Sequence, residues 1–154
     1  MEKSMAEREN VMEKFGFLLG TWHLEYRIPK SAFSEADTGS GTGTFKRTLD
    51  EKYVCFDYSC SFSSAPEQTT KAHAIFAWDE KANVYRYWWF ESSGNFTNAT
   101  CNFVNNVTLF INWHDSLFIQ TFRKTSQNKM VLKMEHPDSE GRYELVMEVI
   151  FSKE

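Results

Sequence analysis

From Gly20 to the end of the chain, apolar and polar residues alternate with a period of two, the signature of β-strands with one buried face. Trp22, Leu24, Tyr26 and Ile28 alternate with Thr21, His23, Glu25 and Arg27, and Pro29 ends that run. Before Gly20 the period is helical. Met5, Met12, Phe15 and Leu19 fall on one stripe of a helix expected over Ser4–Leu19, with charges on the opposite side. Lys30 to Gly41 is polar and Gly/Ser-rich, which predicts a loop. Nine more strands are expected, near Thr42–Leu49, Tyr53–Phe62, Thr69–Trp78, Val84–Glu91, Asn95–Phe103, Val107–His114, Leu117–Lys124, Lys129–His136 and Arg142–Phe151. Short connections such as Asp115-Ser116 make neighbouring strands antiparallel. The pattern thus predicts an all-β fold: a roughly ten-stranded antiparallel up-and-down barrel with one N-terminal helix closing an end. The whole of 1–154 forms one domain, with 1–19 as helix and 20–154 as barrel. A sandwich would expect longer crossing loops, and only Lys30–Gly41 and Ser63–Gln68 are long.

Alternation also predicts which side chains face inward. On the last strand, Glu144 and Glu148 belong outside, so Tyr143, Leu145, Met147, Val149 and Phe151 belong inside. Pairing across the Pro137–Gly141 turn sets His136 opposite Tyr143, Met134 opposite Leu145 and Leu132 opposite Met147. One strand back, Leu117, Ile119, Thr121 and Arg123 face in; before that, Val107, Leu109, Ile111 and Trp113. Thr97, Ala99 and Cys101 follow, then Tyr85, Tyr87, Trp89 and Glu91. The Asp79–Ala82 turn accepts either parity. One choice places His73 and Ile75 inside, the other Ala74, Phe76 and Trp78.

Composition sharpens this picture. Aromatic residues make up 16% of the chain, with 14 Phe, 6 Tyr and 5 Trp, more than a small core needs but suited to a ring-lined barrel. The net charge of -4 and the lack of a basic run argue against a nucleic-acid partner. No apolar stretch approaches the ~20 residues of a membrane helix, and the charged N-terminal segment has no apolar signal core, so a cytoplasmic protein without a membrane partner is expected. Cys55, Cys60 and Cys101 lack metal-ligand spacing and read as reduced core thiols. Three Asn-x-Thr sequons, at Asn95, Asn98 and Asn106, read as polar strand residues.

Six residues stand out as candidate ligand-binding groups: Tyr87, Trp89, Trp113, Arg123, His136 and Tyr143. Trp89, Trp113 and Tyr87 offer faces for a planar ligand, or simply fill the core. Arg123 offers a fork of donors to a ligand carboxylate, or a cation for Trp22, a role for which Lys153 competes. An inward His136 suits binding an acid, proton transfer or iron ligation; the plainer alternative is a strand-end imidazole bonded to the adjacent turn. Catalytic signatures are absent: there is no nucleophile elbow, phosphate loop or zinc motif. No catalytic residue, metal site or cofactor is assigned.

Gly20-Thr21-Trp22 after a short helix resembles the Gly-x-Trp opening of lipocalin-type barrels. With Tyr85-Arg86-Tyr87-Trp88-Trp89-Phe90, Asn112-Trp113-His114-Asp115 and Met134 to Gly141, the chain resembles a family of uncharacterised bacterial lipocalin-like proteins with a calycin-type barrel. The resemblance covers the chain from Phe15 onward and implies a fold but no agreed reaction. Haem-binding nitrobindin-like barrels resemble the same architecture, with a ligand His shortly before the last strand. Here the surrounding motif differs, and His136 lies a full turn ahead of it.

Binding of a small hydrophobic or planar molecule inside the barrel is therefore the leading expectation. An enzyme using His136 with Glu91 or Tyr143, and a haem barrel using His136, are the alternatives. On Val84–Phe90, inward Tyr85, Tyr87 and Trp89 leave Arg86, Trp88 and Phe90 outside, with Phe96 opposite Phe90. Rings on an outer wall favour a homodimer through that face.

Overall fold

The computed structural model describes residues 11–154. Ten strands follow one helical segment: β1 Gly20–Ile28, β2 Asp37–Thr48, β3 Tyr53–Phe62, β4 Ala65–Asp79, β5 Val84–Glu91, β6 Phe96–Asn105, β7 Thr108–Asn112, β8 Ile119–Ser126, β9 Lys129–Pro137 and β10 Tyr143–Lys153. Each strand pairs antiparallel with the next, and β1 pairs with both β2 and β10, which closes the barrel. Closure removes the two exposed edges that an open sheet of this length would present. Among the described residues, no helix is long and apolar enough to cross a membrane.

The expected helix is described from residue 11 onward, and its first residues, with Met5, lie outside the described part. Lys14–Leu18 is a 3-10 helix. Its three residues per turn align positions three apart, so Met12, Phe15 and Leu18 form the buried stripe instead of Leu19. Phe15 plugs the barrel end against Phe76, Tyr85 and Phe103, with ring centroids 4.9–5.2 Å apart. Trp22 donates its indole N–H to the Leu18 carbonyl at 2.8 Å, tying the helix to β1. The Lys153 ammonium stands over the Trp22 ring at 5.1 Å, so Lys153, not Arg123, supplies that cation. This is the closed end of the barrel.

Two strands begin earlier than their composition suggests. The loop expected to reach Gly41 gives way to β2 at Asp37, and β4 begins at Ala65. Gly39, Gly41 and Gly43 recur with a period of two on the inner face of β2. A Cβ at Gly43 would stand 2.5 Å from the Phe56 ring, and one at Gly39 2.6 Å from Phe62. Missing side chains on β2 thus admit the rings of β3. Phe45, next on that face, stacks flat on Phe56 at 3.9 Å.

The turns settle the inward register. Asp79 caps the β4–β5 turn by accepting from the Ala82 N–H at 3.1 Å, and Asn83 takes a left-handed conformation. This places Ala74, Phe76 and Trp78 inside and His73 outside, where it meets Asp57 at 2.5 Å. The inward set of β5 to β7 holds for Tyr85, Tyr87, Ala99, Cys101, Leu109 and Ile111, all buried.

Val107 departs from that set. It lies before β7 and is 39% exposed. Beyond β7 two further corrections are needed. Asn112 pairs with Ile119, so the β7–β8 connection takes six residues, 113–118, instead of two. Opposed residues share a face, so Gln120 and Phe122 turn inward, while Leu117 is 65% exposed and Arg123 is exposed. On β10 a bulge between Leu145 and Met147 shifts the ladder. Met134 meets Met147, Leu132 meets Val149, and His136 meets Glu144 instead of Tyr143, which is 52% exposed. The inward layer of Leu117, His136 and Tyr143 beside Trp89 and Trp113 therefore does not form.

Candidate functional site

The helix-plugged end is solid, whereas the other end holds a cavity of about 350 Å³. Its walls come from inward positions already fixed by the register: Tyr26 on β1, Phe56 and Tyr58 on β3, Tyr87 and Trp89 on β5, and Gln120 and Phe122 on β8. Leu132 and Met134 of β9 and Met147, Val149 and Phe151 of β10 complete the apolar side. The β7–β8 connection adds Trp113, Asp115, Ser116 and Phe118 at the mouth. β6 presents the small side chain of Thr97 to the cavity.

Two pairs of polar side chains lie within the wall. The Trp89 indole N–H donates to the Tyr58 hydroxyl at 3.0 Å. The Trp113 N–H donates to the side-chain oxygen of buried Gln120 at 3.2 Å. A buried polar group without a partner costs roughly 1–3 kcal/mol, and these two bonds meet that demand while holding both indoles at fixed angles. The three phenols are kept neutral. Burial pushes the Tyr58 hydroxyl up to about 12, although the Trp89 bond works the other way. Burial, then the neighbouring Cys60 and Tyr58, raises Tyr26, and burial raises Tyr87 well above its ordinary value. The wall is thus apolar, aromatic and uncharged, apart from Asp115 at the mouth.

Of the six candidate residues, Tyr87, Trp89 and Trp113 come together on this wall. The other three do not. Arg123 points to solvent because the longer β7–β8 connection inverts the parity of β8. Tyr143 lies outside because of the β10 bulge. His136 has inward parity but sits at the rim, outside the cavity wall. Its Nδ1–H donates to the adjacent Pro137 carbonyl at 2.8 Å, and its ring is flanked by Phe33 and Phe118 at 4.5 and 4.7 Å. No imidazole lines the cavity among the described residues, so the residues present do not fit a haem held by histidine. Glu91 bonds Ser93 in the β5–β6 turn and is likewise absent from the wall.

Sequence reasoning missed Tyr26, Tyr58, Phe118 and Gln120 as wall residues. Around β8 the odd positions Leu117 and Ile119 are as apolar as the even positions Phe118 and Phe122, so alternation alone did not select its inward face.

No protein-family model matches the chain, and no curated protein matches it in sequence. Solved structures do match in shape. The S-type phycobiliprotein lyase CPES from Guillardia theta superposes with a TM-score of 0.66 at 7% identity, over 99% of this chain and 98% of that one. The molecule is a lipocalin-like β-barrel. A de novo designed fluorescence-activating β-barrel matches with a TM-score of 0.50 at 13% identity, covering 92% and 98% of the two chains. The barrel EF1p2_mFAP2b bound to DFHBI matches with a TM-score of 0.51 at 7% identity, over 93% and 98%. At such identities the likeness is one of fold.

Proposed function

We propose that this lipocalin-like barrel binds one small, largely apolar, planar molecule in its open-end cavity. The observation that carries the reading is the cavity itself: about 350 Å³, walled by aromatic rings, with both indole N–H groups bonded within the wall. Ligand pockets typically span roughly 300–1,000 Å³, with apolar walls and a few placed polar groups. A fluorescence-activating barrel and a barrel bound to DFHBI share the fold, which supports the cavity as a place for a ligand. Tyr87, Trp89 and Trp113 are the ligand-contacting side chains in this reading. N-phenyl-1-naphthylamine, a neutral dye that brightens in apolar surroundings, tests it directly. Saturable brightening is expected, with Trp113→Ala weakening the affinity about tenfold and Lys133→Ala leaving it unchanged. No brightening, or equal losses at both positions, removes the reading.

The outer wall supports a second, independent inference. Phe90 and Phe96 face each other across β5 and β6 and are 43% and 76% exposed, with Trp88 on the same face. We infer that a second copy of the chain covers this patch, since aromatic rings are favoured at interface centres. Light scattering coupled to size exclusion should find a dimer at micromolar concentration, split by Trp88→Glu with Phe90→Lys. A wild-type monomer, or a dimer that survives the double change, overturns it. Kinship with the uncharacterised bacterial lipocalin-like proteins, suggested by Gly20-Thr21-Trp22 and the other runs, belongs to the same class of inference.

A further inference from the structure

The cavity and its mouth are sorted by charge. The wall contains no Lys, Arg or His, and among the described residues the one charged group lining it is Asp115. The loops around the mouth, residues 29–36, 63–64, 92–95, 113–118 and 138–142, carry the imidazole of His114, bonded to the Thr100 hydroxyl at 2.8 Å, and two cationic side chains, Lys30 and Arg142. Both are already engaged. Lys30 lies 3.8 Å from Glu35, and Arg142 lies between Asp138, at 3.8 Å, and Glu140. Those loops bring four acids, Glu35, Asp115, Asp138 and Glu140, so Asp115 is the acid left facing the mouth without a basic partner among the described residues. Arg123, the side chain best suited to a ligand carboxylate, is on the outside of the barrel.

We propose that the cavity selects a monocationic aromatic ligand, its rings inside and its ammonium at the mouth beside Asp115, and discriminates against organic acids. The inference rests on the binding reading above and specifies its ligand class. An acid drawn into the cavity would leave water and meet no positive partner, only neutral donors on the phenols, Thr97, Ser116 and Gln120, and the Asp115 carboxylate. A cation meets the reverse. Indole and phenol faces attract positive charge, and the exposed Asp115 carboxylate at the mouth adds a Coulomb attraction that salt can screen. The fixed indoles of Trp89 and Trp113 present such faces without further ordering, which lowers the entropic cost of binding.

Three competitors of one shape separate charge from size. They are 1-naphthylmethyl-trimethylammonium, its neutral carbon isostere 1-neopentylnaphthalene, and 1-naphthylmethanesulfonate. Each is titrated against bound N-phenyl-1-naphthylamine. The ammonium should displace the dye at a concentration on the order of tenfold below the sulfonate, and below the isostere. Salt should narrow the gap, because an exposed carboxylate is screened. In Asp115→Asn the ratio between ammonium and isostere should shrink several-fold, and in Asp115→Lys the sulfonate should overtake the ammonium. Dye binding with three equal competitors, or with the sulfonate strongest, overturns the charge selection and leaves the binding reading standing. An ammonium preference untouched in both Asp115 variants overturns the role given to that carboxylate. A protein that takes up no dye and none of the three competitors, followed by calorimetry, fails both readings together.

Discussion

The two ends of the barrel are built from the same strands and do opposite things. Along β1, Trp22 and Leu24 are buried at the closed end, while Tyr26 two residues later lines the cavity. Along β5, Tyr85 packs on Phe15, while Tyr87 and Trp89 face the cavity. What separates the ends is the plug. Met12, Phe15 and Leu18 fill the closed end, and no segment of the described chain fills the other. The lesson is that an inward aromatic residue does not declare its role. A ring met by a plug is core, and the same ring one turn of the ladder away is wall.

That contrast is open to test by substitution. Trp22→Ala should cost about 3–5 kcal/mol, since it deletes a fully buried indole and its bond to Leu18. Trp89→Ala should cost markedly less, because its ring already borders open space, but should weaken dye binding. Urea unfolding with dye titration on both variants checks the pair. Equal destabilisation would mean the cavity collapses in solution and the two ends are alike.

A smaller effect is expected in base. The Tyr58 hydroxyl ionises near its ordinary value of 10.0 when unfolded and at about 12 when buried in the wall. Its neutral form is the one the fold favours. The stabilisation is therefore complete below about pH 10 and is lost as the pH rises toward 12. The two-unit displacement corresponds to on the order of 2–3 kcal/mol. Tyr58→Phe should flatten the decline in stability between pH 10 and 12. An unchanged slope would place Tyr58 in contact with water and break the description of its hydroxyl as buried in the wall.

The smallest effects belong to residues that alternation alone would have put inside. Arg123→Ala, Tyr143→Ala and His136→Gln should each change stability by no more than about 0.5–1 kcal/mol and leave dye affinity unaltered. A tenfold loss at any of the three would place that side chain on the cavity wall, from which the structure excludes it.

Those three residues also show how far the chain could be read before its structure. Strand existence was legible because period-two alternation is strong, and the inward faces of β5, β6 and β7 follow from it, with that of β4 once the Asp79–Asn83 turn is fixed. Parity was lost where the ladder is irregular. A six-residue connection after Asn112 and a bulge at Val146 each shift the count. Alternation carries no mark of an inserted residue, since the pattern resumes on either side of it. The opening of β2 was hidden for another reason. Glycine reads as loop, yet at Gly39 and Gly43 it serves the neighbouring strand's rings and at Gly41 the close approach of Ser59 and Cys60, and the period of two was the clue.

Phe56, Phe122 and Phe151 belong to both ends at once. They form the cavity floor, and all three rings pack on Phe45, with centroids 3.9, 6.1 and 6.4 Å away, in the solid half. A molecule resting on that floor adds its contacts to the same rings that hold the fold together. Occupancy should therefore register as heat resistance. By mass action a ligand present at a hundred times its dissociation constant adds about 2.7 kcal/mol to the folded state. For a domain of this length that corresponds to a rise in melting temperature on the order of 5–10 °C. The barrel can thus be offered mixtures of unlabelled compounds, with its melting point indicating which one it keeps.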